Sequence, residues 1–172
     1  MIDQAKSLIL TGTISMETAL AFLGLVIILL RVLLRRTKRI PKPFICALYA
    51  IDGDTVKISG QRGRDTIRIR LDGIDAPEKG QSGGNEAHDA LTALIRGEKV
   101  LVSPTAIDVY GRIVAHLSID GRDVSSAMVS GGFALALNSG SLRRMERRAR
   151  ASKSGLWAHG RISSPSEHRR TA

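Results

Sequence analysis

Arg68-Ile69-Arg70-Leu71-Asp72-Gly73-Ile74-Asp75-Ala76-Pro77-Glu78 is the stretch on which the fold turns. Apolar and charged residues alternate from Thr66 to Leu71, which is strand periodicity. Ile67, Ile69 and Leu71 fall on one face, and Arg68 and Arg70 share the other. A glycine-containing loop then delivers Asp75 and, three residues on, Glu78. Pro77 fixes φ between them and removes a backbone donor. A strand that aims a guanidinium and a turn that aims two carboxylates suit a site for a metal and a phosphate. An ion-paired hairpin edge is the plain alternative, since surface strands often carry alternating charge.

Two further stretches weigh against that alternative. Upstream, Asp52-Gly53-Asp54-Thr55 leads into the apolar-alternating Thr55 to Ser59. Downstream lies Asp108-Val109-Tyr110-Gly111-Arg112, followed by a strand from Arg112 to Ile119. Taken with a terminal Gly155-Leu156-Trp157, these segments resemble the staphylococcal nuclease (thermonuclease) family in order and approximate spacing, over residues 44–158.

The resemblance implies an α+β fold, a five-stranded Greek-key β-barrel of the OB type with three helices. It also implies a Ca²⁺-dependent endonuclease that hydrolyses DNA and RNA with little sequence specificity and leaves 3′-phosphate ends. Carried over to this sequence, Asp54, Asp75 and the backbone carbonyl of Ala76 are the metal ligands, hard oxygens suited to Ca²⁺. Asp52 stands behind them. Glu78 orients or deprotonates the attacking water, and Arg70 and Arg112 present planar forks to the phosphate. Tyr110 and Lys79 are candidate substrate contacts. The second reading is a non-catalytic nucleic-acid-binding barrel, although degenerate copies of this fold typically lose the carboxylates and arginines present here. A protein-binding module is a third.

Three departures from the family pattern stand out. Ala76 follows the metal-binding aspartate where some members have threonine. Leu135-Ala136-Leu137-Asn138 replaces tyrosines that line the nucleotide pocket in the better-known members. The loop from Lys79 to Asn85 is shorter and glycine-rich, and is expected to be mobile.

The rest of the domain reads as strands from Phe44 to Ile51 and from Lys99 to Ser103, with turns at 60–64 and at Asp120-Gly121. A helix from Glu86 to Ile95 places Ala87, Ala90, Leu91 and Leu94 on one face and stops at Gly97. Asp123 caps a short helix that ends at Gly131-Gly132. A last helix, Ser141 to Lys153, is rich in arginine, with Leu142, Met145 and Ala149 as its apolar stripe; a solvated basic face is the reading, phosphate contact the alternative. Trp157 packs where that helix ends. The single Cys46 excludes an internal disulfide.

Residues 1–42 differ in kind. Met16 to Leu34 is almost wholly apolar, with Glu17 and Arg31 near its ends, and reads as a single transmembrane helix. An uncleaved signal-like segment or an export signal is the alternative, and the absence of a basic start and of a nearby small-residue site fits a cleaved signal poorly. Arg31, Arg35, Arg36, Lys38, Arg39 and Lys42 follow on the C-terminal side, which by the positive-inside rule keeps the domain in the cytoplasm. The family's habit points instead to export. Of the net charge of +10, residues 1–42 carry half, with 7 basic and 2 acidic residues. The expected organisation is therefore a membrane anchor and basic linker at 1–42, a nuclease-like domain at 43–158 and a polar tail at 159–172. No obligate protein partner is inferred, and a monomer is expected.

Overall fold

The computed structural model describes residues 16–33, 39–58, 66–137 and 140–160. The chain divides into two units, Met1–Arg39 and Ile40–Ala172.

In the first unit, Met16–Leu33 forms a helix, α1. Among the described residues no helix is long and apolar enough to cross a membrane. The expected transmembrane helix over Met16 to Leu34 is therefore not supported; on α1, Leu20, Phe22, Leu23, Leu25 and Ile28 are exposed.

The second unit is an α+β domain built on one curled sheet. The apolar run at its start is not a single strand. It forms β1 (Phe44–Cys46) and β2 (Tyr49–Ala50), with buried Leu48 between them. β3 (Thr55–Ile58) and β4 (Ile67–Leu71) pair antiparallel, with Val56 opposite Ile69. A short β5 (Ile74–Asp75) follows, then the helix α2 (Gly84–Ile95), then β6 (Val100–Ile107) and β7 (Ile113–Ile119). β8 (Arg122–Asp123), α3 (Val124–Ser130), β9 (Leu135–Ala136), α4 (Gly140–Ala151) and a 3₁₀ turn at Gly155–His159 complete the chain.

The sheet runs β1-β6-β7-β4-β3-β2. Its two edges, β1 and β2, are consecutive pieces of one interrupted strand, so the sheet curls back toward its own beginning. β4 and β7 pair parallel, and the remaining neighbours along this path pair antiparallel. Counting β1 and β2 as one strand, the order matches an OB-type barrel of five long strands, with three helices in the domain. β5 pairs with β9 in a separate two-stranded ladder.

Val56, Ile69, Leu71, Val100, Val102, Ala115 and Leu117 point inward and are essentially inaccessible. Alternation along each strand produces this face, as the period of two requires. Ile67 departs from the expected inward row: it is exposed at the start of β4. α2 closes one side through Ala87, Leu91 and Ile95, four residues apart, so Leu94 belongs to the exposed flank and not to the core face. Gly97, at φ 79°, ends it. Asp123 caps α3 as expected, accepting from the Ser126 N–H at 2.6 Å.

β6 runs four residues beyond its expected end. The register shifts between Pro104 and Ala106. Such a bulge accommodates a residue that cannot donate to the ladder. α4 buries Leu142 and Ala149, and Met145 packs against the core. Its basic side is solvated, apart from Arg143, which donates to the Leu137 carbonyl, and Arg150. Arg150 pairs with Glu146 and lies 4.3 Å from the Trp157 ring centroid. Trp157 is buried, as expected. The expected turn at 60–64, Ser59 and the tail from 161 onward lie outside the described residues.

Candidate active site

The site begins where β3 and β4 run side by side. Their register sets Thr55 opposite Arg70. Asp54, one residue before β3, therefore lies beside the end of β4, and its carbonyl accepts from the Leu71 N–H at 2.8 Å. Asp75 arrives on β5, held in place by its pairing with Leu135 of β9. Both carboxylates are buried, Asp54 at 4% exposure and Asp75 at 3%.

One guanidinium joins them. Arg70 Nη1 lies 2.7 Å from Asp54 Oδ2, and Nη2 lies 2.7 Å from Asp75 Oδ1. Nη2 also donates to the Ile74 carbonyl at 3.3 Å. Asp54 accepts further from the Thr55 hydroxyl at 2.8 Å and the Ala76 N–H at 3.3 Å. Burial pushes the Asp54 carboxyl up to about 7, the Arg70 charge opposes that rise, and Asp52 adds to it. Burial also works against the Arg70 charge, yet Asp54 and Asp75 outweigh it, so the guanidinium is held more firmly protonated than usual.

Asp52 does not touch Arg70. Its Oδ1 accepts from the Asp54 N–H at 3.0 Å, closing the turn that aims Asp54. Gly53 is required within that turn: a Cβ there would lie 2.6 Å from the Ala87 Cβ and 2.7 Å from the Ala76 Cβ. The turn is thus pressed between α2 and the loop carrying Ala76. The small side chain of Ala76 is part of that fit.

Glu78 follows Pro77 into a tight turn. Its N–H donates to Gln81 Oε1 at 3.1 Å and its carbonyl accepts from the Gln81 N–H at 2.9 Å. Gly84 packs directly on the Glu78 carbonyl, leaving no room for a side chain. The loop expected to be mobile is therefore tied to the start of α2 by its own hydrogen bonds.

A cleft of about 480 Å³ opens beside these groups, lined by Arg68, Arg70, Glu78, Tyr110 and Arg112. Asp108 organises the far wall. Its Oδ1 accepts from the Tyr110 and Arg112 N–H groups, and its Oδ2 receives Arg112 Nε at 2.7 Å. Burial raises the Asp108 carboxyl, but these hydrogen bonds and the Arg112 charge hold it below its ordinary value overall. The Arg112 guanidinium lies 5.4 Å from the Tyr110 ring centroid. Its two terminal nitrogens are not in the Asp108 contact.

The sequence-predicted residues thus fall into three groups. Asp54, Arg70 and Asp75 interlock; Glu78, Tyr110 and Arg112 share the cleft with Arg70; Lys79 is exposed and is not among the residues lining the cleft. Arg68 lines it and was not among the candidate site residues. Its signal was the shared strand face with Arg70. The segment Leu135 to Leu137, where the family pattern has pocket tyrosines, here forms the ladder behind Asp75, and the Leu137 N–H donates to the Gly73 carbonyl. Asn138 lies outside the described residues.

The donor set is one of oxygens alone. Two buried carboxylates converge on one guanidinium, with no thiolate or imidazole beside them. Among the described residues no group of three or more His, Cys, Asp or Glu is gathered closely enough to hold a metal ion. Two carboxylates and a backbone carbonyl fit a hard cation that keeps several ligands as water or substrate oxygen, and do not form a complete protein cage.

The sequence model for staphylococcal nuclease homologues matches residues 68–159. The Asp52–Thr55 turn lies upstream of that match and joins the site through the β3–β4 pairing. An "Uncharacterized endonuclease" of Escherichia coli is 35% identical over 127 residues, covering 67% of this chain and 82% of its own length. The "Probable staphylococcal-like nuclease CAN1" of Oryza sativa subsp. japonica is 34% identical over 122 residues, 66% of this chain and 37% of that protein. The "Probable endonuclease LCL3" of Saccharomyces cerevisiae (strain RM11-1a) is 34% identical over 136 residues, 67% of this chain and 50% of that protein. With this match and the site geometry together, the chain belongs to the staphylococcal nuclease homologue family.

Proposed function

We propose that this chain is a nuclease that hydrolyses phosphodiester bonds of DNA and RNA with little sequence specificity, uses Ca²⁺, and leaves 3′-phosphate ends. The single observation that carries the reading is the convergence of Asp54, Asp75 and Arg70 beside a cleft lined by Glu78 and Arg112. Phosphodiester hydrolysis needs an activated water, neutralisation of charge at phosphorus, and alignment of the two. Each requirement has a residue of suitable chemistry at this cleft.

Asp54, Asp75 and the Ala76 carbonyl would hold Ca²⁺. The ion supplies Lewis acidity and a template for the phosphate oxygens. Asp52 keeps the Asp54 turn closed. Glu78 orients the attacking water and accepts its proton. Arg112 donates to the phosphate oxygens, and Arg70 would join it as Asp54 and Asp75 turn from its guanidinium toward a cation; together they offset the extra charge of the five-coordinate transition state. Asp108 holds the Arg112 backbone and Nε, which leaves the terminal nitrogens for the phosphate. Tyr110 offers a ring face at the cleft mouth.

The same proposal extends to location. The exposed apolar residues of α1 and the basic residues that follow suit attachment to an anionic membrane surface, with the domain on the cytoplasmic side and the protein a monomer. Flotation of the full chain with phosphatidylserine-containing vesicles, against neutral vesicles, tests the attachment.

The activity is tested by incubating the full chain with single-stranded DNA and with RNA, in Ca²⁺ or in chelator. The expected result is Ca²⁺-dependent cleavage of both, with product ends that a 3′-phosphatase converts to 3′-hydroxyls. Binding without cleavage in any divalent cation would make this a nucleic-acid-holding barrel instead.

A further inference from the structure

The β3–β4 face continues past the cleft. Residues paired across an antiparallel ladder share a face, so Thr55 and Arg70 lie on one side together with the next pair but one, Lys57 and Arg68. The pair between them, Val56 and Ile69, points into the core and is fully buried. Lys57 and Arg68 are both exposed. Arg68 sits two residues from Arg70, about 7 Å along the strand, roughly the step between successive phosphates of an extended single strand.

The three cleft arginines differ in their partners. Arg70 is engaged by Asp54 and Asp75, and Arg112 by Asp108. Arg68 has no carboxylate or hydrogen-bond partner for its side chain among the described residues. Instead, it faces another cation, Lys57, directly across the ladder. Like charges in that position oppose folding. A carboxylate at either position would relieve the repulsion, and neither residue is one. Two cations thus lie side by side on an exposed strand face, one of them lining the cleft.

We infer that Lys57 and Arg68 form a second phosphate subsite, which takes the phosphate next to the one held by Arg70 and Arg112 on a single-stranded polynucleotide. The inference rests on the nuclease reading for its substrate class. It adds that the enzyme favours chains over short fragments, because the subsite is empty when no neighbouring phosphate is present. Arg68, with a planar fork, supplies the directed contact; Lys57 supplies a point charge.

The test uses the full chain, in chelator so that binding is read without cleavage. Fluorescence anisotropy is measured with a single-stranded 12-nucleotide oligothymidylate, and competition with a dinucleotide that has one internal phosphodiester. In Arg68→Ala the oligonucleotide should bind roughly tenfold more weakly at low salt. The slope of log affinity against log salt should fall by about 0.7 in that variant and by about 1.4 when Lys57→Ala is added. The dinucleotide, too short to fill both subsites, should bind every variant as it binds the parent, and Arg68→Lys should keep the salt slope. Melting temperature should hold or rise in Arg68→Ala, since a like-charge pair is relieved; a structural role for Arg68 would lower it.

An unchanged oligonucleotide affinity and slope overturn the inference, as does equal weakening for oligonucleotide and dinucleotide. So does a parent chain that does not bind the oligonucleotide at all. Binding that obeys these slopes, in a chain that does not cleave in Ca²⁺, would leave the subsite standing while the nuclease reading fails. Cleavage with no change of slope would do the reverse.

Discussion

At one end of the cleft Asp54 and Asp75 are buried and clamp a single arginine between them. At the other, Val109 is 94% exposed and Tyr110 is 82% exposed, on a turn held by one aspartate. The two ends draw on the same kinds of residue, aspartate and arginine, with opposite physical consequences. A buried charge is costly to leave unpaired, so the inner end bears on folding. Charges at the rim are screened by water, so they contribute little to stability.

Arg70→Ala gives the largest expected effect. It leaves two buried carboxylates without their cation. Chemical denaturation at pH 8 in chelator should show a loss of about 3 kcal/mol. Cleavage should fall by roughly a thousandfold or more, since a donor to the transition state goes with it. A stable but inactive variant would show that the clamp is not structural.

The pH dependence of stability follows from Asp54. Its carboxyl is pushed up by burial to about 7, from an ordinary 3.8. Between those values the folded chain keeps a proton that the unfolded chain has released. The contribution is fully present below about pH 4 and is lost as pH rises through about 7, on the order of a few kcal/mol. Denaturation across that window in chelator should show stability falling as pH rises, and Asp54→Asn should flatten the curve. Cation affinity should change in the opposite sense, rising through pH 7 as the proton leaves. A parent curve that rises over this window would mean that the Arg70 contact outweighs burial.

Arg112→Ala carries the comparison to the rim. Cleavage should drop by about a hundredfold, while stability changes by less than about 1 kcal/mol, as expected for a partly exposed ion pair. A large stability loss would mean that Asp108 and Arg112 hold the fold and not only the turn. Tyr110→Ala is the smallest change. Oligonucleotide affinity should fall by a few-fold, the equivalent of about 1 kcal/mol for one stacked base, with the melting temperature unchanged.

The residue types at the site were legible in the sequence because strand alternation and the Asp52-Gly-Asp-Thr55 turn are local signals. That Asp54 and Asp75 share Arg70 was not, since it depends on Thr55 pairing with Arg70 across the β3–β4 hairpin and on β5 meeting β9. β5, β8 and β9 are two residues each, too short for any periodicity. β1 and β2 read as one strand because their interruption at Ala47 and Leu48 is as apolar as its flanks. Pro104 hid the second half of β6, because a bulge has no sequence signal of its own. The helix face was misread at Leu94 because residues three and four apart compete for the inward row, and Ile95 fills it. The transmembrane reading is not supported, since among the described residues no helix is long and apolar enough to cross a membrane.

Glu78 lines the cleft between the buried pair and the exposed turn, and the proposed function assigns it to the attacking water. The most direct test measures two quantities on Glu78→Gln in the full chain: the single-turnover rate of single-stranded DNA cleavage in Ca²⁺, and the equilibrium affinity for the same DNA in chelator. A rate reduced by a hundredfold or more with unchanged affinity is the predicted result. Equal losses in both, or a rate close to that of the parent chain, would contradict the assignment.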